Sequence, residues 1–278
     1  MIKAIVLSSF LCSPLTAEEY KLVWSDEFNT AGKLDTSKWK FEEGFIRNFE
    51  AQYYTKNRAK NARVEQGNLV LEAHKEAFEN AAFEQHSTQW QRNWKTAKYT
   101  SASVQTLGQK AFLYGKFEIR AKVPKGNGTW PAIWMLGENW EKVGWPSCGE
   151  IDILEQLGRE PKKIHGTIHW NAGNDANGNY QHAHVGGTKI VKDDVGDAFH
   201  LFGLEWTRNS IEFFLDGKSY YKIDISKMPA TQSAQFRKPH FLLINFALGG
   251  TWGKEIDPAI FPQKFLIDYV RVYQKQTQ

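Results

Sequence analysis

Apolar residues in this chain come in short alternating runs, each stopped by Gly, Asn, Asp or Pro, and no stretch keeps the three-to-four spacing of a helix. Residues 116–123 set Phe117, Ile119, Ala121 and Val123 against Glu118, Arg120 and Lys122. Successive side chains of a strand point to opposite faces, so this pattern makes one core face and one polar face. Residues 210–225 place Asp216-Gly217 between two such runs, and a two-residue hairpin turn needs positive φ at both central positions. Further strands are expected near Gly67, Tyr99, Lys163, His200, Phe241 and Phe265. Many short strands joined by turns predict an all-β sandwich or barrel rather than βαβ units. Two stretches, 125–134 and 170–187, are rich in Gly and Asn and read as loops, the second long enough to edge a cleft.

The opening segment stands apart from this pattern. Lys3, an apolar run over residues 4–11 and small residues up to Ala17 have the layout of a secretory signal, and the run is too short to span a bilayer. Cleavage near Ala17 would leave one domain, residues 18–278, in a secreted or periplasmic protein without a membrane span. In a second reading the segment is a lipoprotein signal and Cys12 carries the lipid anchor. Without Cys12, Cys148 is the remaining cysteine, so no internal disulfide can close. Cys148 lies two residues from Glu150, where it reads either as a nucleophile or as a small buried thiol; no Cys-protease signature accompanies it. The net charge of +4 is scattered among acids, which argues against nucleic acid as a partner. The 11 Trp imply a large aromatic core or a surface that recognises flat apolar faces, such as those of sugars.

The string GEIDILEQLG, residues 149–158, concentrates three acids. Glu150 and Asp152 share a strand face by parity, whereas Glu155 belongs to the other face. One extra residue at Ile153-Leu154, a β-bulge, reverses the parity and returns Glu155 to its partners. Crowded carboxylates raise one another's pKa, and glycoside hydrolysis needs one ionised and one protonated carboxyl. Two plainer readings stand beside this: acids solvated on a half-exposed strand, or acids holding Mg²⁺ or Ca²⁺. His165 and His169, two strand repeats apart, share a face and have a spacing that suits metal ligands as well.

An ordered series of segments then narrows the field: WSDEFN at Trp24, LDTSKW at Leu34, RNFEAQYYT at Arg47, GNLVLEA at Gly67, YTSASVQT at Tyr99, GTWPAIWML at Gly128, WPSCGEIDILEQLG at Trp145, HGTIHW at His165, FHLFGLEWT at Phe199, IEFFLDG at Ile211, INFALGG at Ile244 and FLIDYVRVYQ at Phe265. Together they resemble glycoside hydrolase family 16, in particular its laminarinase-like endo-β-1,3-glucanases and their relatives acting on mixed-linkage β-1,3-1,4-glucan. The resemblance implies a jelly-roll β-sandwich of two curved antiparallel sheets with a substrate groove on the concave face. It implies a retaining mechanism with Glu150 as nucleophile, Asp152 assisting and Glu155 as acid/base. Trp130, Trp134 and Trp145 would wall the groove, with Trp252 as a further candidate, although core packing is the ordinary use of tryptophan. Asn48, with Glu50 and Gln52, keeps a family pattern for contacting glucose, and Arg47 accompanies it. By the same comparison His169 faces the acids, where it would keep one of them ionised, and His165 lies farther along. Asp268, with oxygens near Glu27 and the Gly67 turn, matches a structural Ca²⁺ site; alternatively it is an exposed Asp on an outer strand. No cofactor is implied for catalysis, and a monomer acting on β-glucan is expected. A non-catalytic β-glucan-binding protein, or a hydrolase of agarose, carrageenan or xyloglucan, remains an alternative.

Overall fold

The computed structural model describes residues 19–276. The stretch read as an export signal, with Cys12, lies outside them. Among the described residues no helix is long and apolar enough to cross a membrane.

Two sheets carry the chain. The larger runs in the order Lys218–Asp224, Ser210–Leu215, His200–Trp206, Gly115–Lys122, Gln263–Lys275, Asn68–Glu79, Thr96–Ser101, Gln52–Tyr54, with Tyr20–Asp26 and Ala62–Glu65 paired beside it. The smaller runs Tyr180–Ile190, Lys163–Asn174, Glu150–Glu155, Thr129–Gly137, His240–Leu248, Ser103–Gln105, Lys40–Phe41, with Ala111–Phe112 added to His240–Leu248. The ladders are antiparallel except where Gln52–Tyr54 runs parallel to Thr96–Ser101. This is the jelly-roll sandwich. The expected alternation is present: along Gly115–Lys122, Phe117, Ile119 and Ala121 are buried and the residues between them half-buried. Asp216 and Gly217 both take positive φ, as the hairpin turn requires.

The strand His240–Leu248 explains how the sheet serves a core and a groove at once. Every residue of it is buried. Leu242, Ile244, Phe246 and Leu248 join the inter-sheet core, while Phe241 and Leu243 pack with Ala132 and Trp134 on the opposite face. Period-two alternation therefore lays a thin apolar floor beneath the groove. Residues 170–187 are not a loop. They belong to the hairpin of Lys163–Asn174 with Tyr180–Ile190, in which polar and glycine residues sit on an edge ribbon where β-propensity is overridden by pairing. Likewise Thr129–Gly137 is a strand, so the loop expected over 125–134 is only its first few residues.

Candidate active site

The string that concentrates the acids forms the strand Glu150–Glu155, set between Thr129–Gly137 and Lys163–Asn174. The register fixes where each acid points. Glu150 lies opposite Leu136, Asp152 opposite Trp134, Leu154 opposite Ile133 and Glu155 opposite Ala132, so Ile153 is the extra residue of a bulge. The other neighbour repeats this, with Asp152 opposite Thr167 and Glu155 opposite His165. Ile151, Ile153 and Leu154 are buried in the inter-sheet core, and Glu150, Asp152 and Glu155 face the groove. Two glycines frame the strand. Gly149 has φ +79°, and a Cβ there would sit 3.2 Å from His240 Nε2. A Cβ on Gly158 would meet the Gly126 carbonyl oxygen at 1.8 Å, so only glycine lets the two backbones pass.

Each outer acid has its own tryptophan. The Trp145 indole N–H donates to Glu150 Oε2 at 2.8 Å, and the Trp130 N–H donates to Glu155 Oε1 at 3.0 Å. Trp130 is 8% exposed and Trp145 47%, so one donor is shielded and the other lies at the groove's mouth. His169 Nε2 stands 3.1 Å from Asp152 Oδ2 and 3.9 Å from Glu150 Oε1. Burial and the charge of Asp152 push Glu150 up to about 8, opposed by the Trp145 N–H. Burial also raises Asp152. Glu155 is held well above the usual carboxylate range by burial and then by the charges of Asp152 and Glu150. Near neutral pH this trio therefore keeps a proton, and Glu155 is its best holder. The sequence reading set an imidazole beside the acids to keep at least one of them ionised, and the charge of His169 acts to lower Glu150. Burial lowers the pKa of His169 itself, opposed by the charge of Glu150.

The acids sit where two arms of one groove meet. One arm is lined by Arg47, Trp134, Trp140 and Asn245, the other by His165, His169, His182, His184 and Trp252, and both by Asn48, Trp130, Trp145, Glu150 and Glu155. Under the first arm is a buried polar network. Asn48, Gln52 and Tyr54 donate to Glu50 at 3.2, 2.7 and 3.1 Å. Asn245 donates to the Tyr54 hydroxyl and accepts from the Trp134 indole at 2.7 Å. The Arg47 guanidinium pairs with Glu42 and lies 5.0 Å from the Trp134 ring centroid. In the second arm Trp252 packs edge-on to Trp130 at 5.6 Å and lies 5.0 Å from the His165 ring. Trp130 and Trp134 thus pack against neighbours and also face the groove, so the two readings of them are not exclusive.

Sequence reasoning brought Glu150, Asp152, Glu155, Asn48, Trp130, Trp134, Trp145, His169 and Trp252 to this groove, and the structure places them there. It missed Tyr54 and Asn245, whose roles depend on packing across strands far apart in sequence. It also missed His182 and His184, whose period-two spacing was the available signal once the hairpin is recognised. Cys148 is fully buried, and burial raises its thiol to about 11, which suits the packing reading rather than the nucleophile. Of the residues named for Ca²⁺, the two acids have cationic partners on the larger sheet. The Asp268 carboxylate is paired with Arg120, and Glu27 is gripped by Arg271 through two hydrogen bonds at 3.0 and 2.8 Å. The Arg120 guanidinium competes with an ion for the Asp268 carboxylate, and the main-chain oxygens near Glu27 and Gly67 are not engaged by either pair.

Fold and site together define a class: a jelly-roll sandwich with paired carboxylates in a tryptophan-walled groove is a glycoside hydrolase. Residues 49–271 match the model of Glycosyl hydrolases family 16, and the chain belongs to that family. A β-glucanase of Rhodothermus marinus is 39% identical over 93% of this chain and 86% of its own. A solved structure reported for endo-acting O-glycanases of the human gut microbiota, which initiate mucin breakdown, is 42% identical with a TM-score of 0.84, covering 92% of this chain and 91% of that one. A non-specific endo-β-1,3(4)-glucanase of family 16, crystallised with 1,3-β-D-cellotriosyl-glucose, is 38% identical with a TM-score of 0.79, covering 93% and 96%.

Proposed function

We propose that this protein is an exported endo-β-glucanase that cleaves β-1,3 and mixed-linkage β-1,3-1,4-glucan with retention of anomeric configuration. The observation that carries the reading is the asymmetry of the two outer acids. Glu155, desolvated and repelled by the charges of Asp152 and Glu150, is held well above the usual carboxylate range, while Glu150, raised to about 8, accepts from the exposed Trp145 indole. In the first step the Glu150 carboxylate attacks the anomeric carbon as Glu155 gives its proton to the departing glycosidic oxygen. The C–O bond breaks and a glycosyl ester on Glu150 forms. In the second, Glu155, now ionised, takes a proton from water; the oxygen of that water attacks the same carbon and the ester is released. Asp152 shares a proton with Glu150 and, with His169 beside it, keeps the charge of the pair near one. The tryptophans of both arms offer flat apolar faces to sugar rings.

The similarity to the β-glucanase and to the glucan complex supports the substrate. The likeness to the O-glycanase structure favours a second reading, in which the same chemistry cuts within mucin-type glycan chains. The test is one panel: the protein and its Glu150→Ala variant on laminarin, barley mixed-linkage glucan and mucin O-glycans, with reducing ends counted. Laminarin or barley glucan cut by the wild type alone is the expected result. Cleavage confined to the mucin glycans would move the assignment to the second reading. The α or β form of the first product, followed by NMR, checks retention. Export rests on residues 1–17 and is checked by the amino-terminal residue of the protein recovered outside the cytoplasm.

A further inference from the structure

In the second arm, three imidazoles stand together on adjacent strands. His169 pairs directly with His184 across the ladder, and His182 lies two positions along on the same face. The rings stack on one another, with centroids 5.1 Å apart for His169 and His182 and 5.5 Å apart for the other two pairs. One ligating nitrogen from each lies within 4.8 Å of the others, and His182 and His184 are exposed. His169 Nδ1 is 2.8 Å from His182 Nε2. Its other nitrogen faces Asp152, as noted above. A carboxylate behind a histidine, with the far nitrogen turned to a cluster of further imidazoles, is the arrangement that orients histidine ligands on metal ions.

We propose that His169, His182 and His184 form a site for a divalent transition-metal ion that favours imidazole, such as Zn²⁺, Ni²⁺ or Cu²⁺, and that filling it closes the second arm of the groove. Nitrogen donors of this kind select those ions over Ca²⁺ and Mg²⁺, which take oxygen. Zn–N bonds of about 2.0–2.1 Å at a tetrahedral centre need nitrogens about 3.4 Å apart, so the His169–His182 pair, at 2.8 Å, must open slightly to admit an ion. Rotation of the two exposed rings out of their stack supplies that movement. A solvent molecule completes the four positions. The ion then lies against Trp145, whose ring is 4.6 Å from that of His182, in the space that a sugar on this side of the acids would occupy. The blockade rests on the glucan-cleaving reading; the binding does not.

The experiment is calorimetric titration of Zn²⁺ into chelator-treated full-length protein carrying no polyhistidine tag, with Ca²⁺ and Mg²⁺ as controls. One equivalent of Zn²⁺ should bind, with no signal from the controls. His182→Ala and His184→Ala should each weaken binding about tenfold or more, with far-UV circular dichroism unchanged. Laminarin hydrolysis should fall as the site fills, return on adding EDTA, and resist Zn²⁺ in the double variant. Absence of saturable binding, or binding that survives the double variant, overturns the site. Binding without loss of rate overturns the blockade alone. A protein that cuts no glucan still reports on the site through the titration.

Discussion

The two indole donors make a prediction about pH that separates the outer acids. Trp130→Phe removes the N–H that Glu155 Oε1 accepts at 3.0 Å. That bond favours the ionised carboxylate, so its loss raises the pKa of Glu155 further. A hydrogen bond to a charged group is worth roughly 1.5–3 kcal/mol, and one pKa unit is about 1.4 kcal/mol, so the shift is about one to two units. The Trp130 ring is only 8% exposed, so water replaces less of this donor than it does at Trp145. Glu155 must be protonated to act as acid, and the alkaline limb of kcat/KM against pH should therefore move upward by about that amount. Trp145→Phe removes the donor to Glu150, which must be ionised to attack. Here the acid limb should move upward. Trp145 is 47% exposed, water takes over part of the bond, and about half a unit is expected. The assay is kcat/KM on laminarin from pH 4 to 10 for both variants and the wild type, with KM followed separately because both rings also line the groove. If Trp130→Phe moves the acid limb, or both variants move the same limb, the assignment of proton holder and nucleophile is wrong.

Three other outcomes follow from the same geometry. The pKa of Glu150 is raised in the fold to about 8, so the folded state holds its proton more tightly than the unfolded chain does; stability is greatest below the ordinary carboxylate pKa and falls as pH rises toward 8. Glu150→Gln removes that loss and should raise the melting temperature by several degrees at pH 8 with little change at pH 4, while turnover falls by at least about a thousandfold; equal melting shifts at both pH values would contradict the burial argument. His169→Ala should lower kcat without changing the unfolding transition, and unchanged kinetics would remove the ring from the site. Adding Ca²⁺ to chelator-treated protein should leave the melting temperature unchanged, because Arg120 already pairs with Asp268; a rise on adding Ca²⁺ would show that the ion displaces the guanidinium.

What the sequence made legible and what it hid divide along a physical line. Side-chain parity is discrete: a residue is on one face of a strand or the other, and one inserted residue turns over everything beyond it. The position of Glu155 could therefore be argued from spacing alone, and the register around Ile153 agrees. The same holds for the alternation in Gly115–Lys122 and for the turn at Asp216-Gly217. Ring orientation and long-range packing are continuous quantities, fixed by neighbours that spacing does not name. Nothing in GTWPAIW says that the Trp130 N–H turns to Glu155 while the Trp134 N–H turns to Asn245, more than a hundred residues away. The lowering of the His169 pKa is hidden for a related reason, since burial, its largest cause, is a property of the closed sandwich rather than of HGTIHW. The edge hairpin was taken for a loop because its Gly and Asn content is set by exposure and its strand form by pairing. It carries His182 and His184, so the part of the groove that composition concealed is also the part where the metal proposal lies. An edge strand that packs on one side only is free to vary in sequence without disturbing the core. It can therefore add chemistry to a site whose three acids are held in place by Gly149, Gly158 and the bulge.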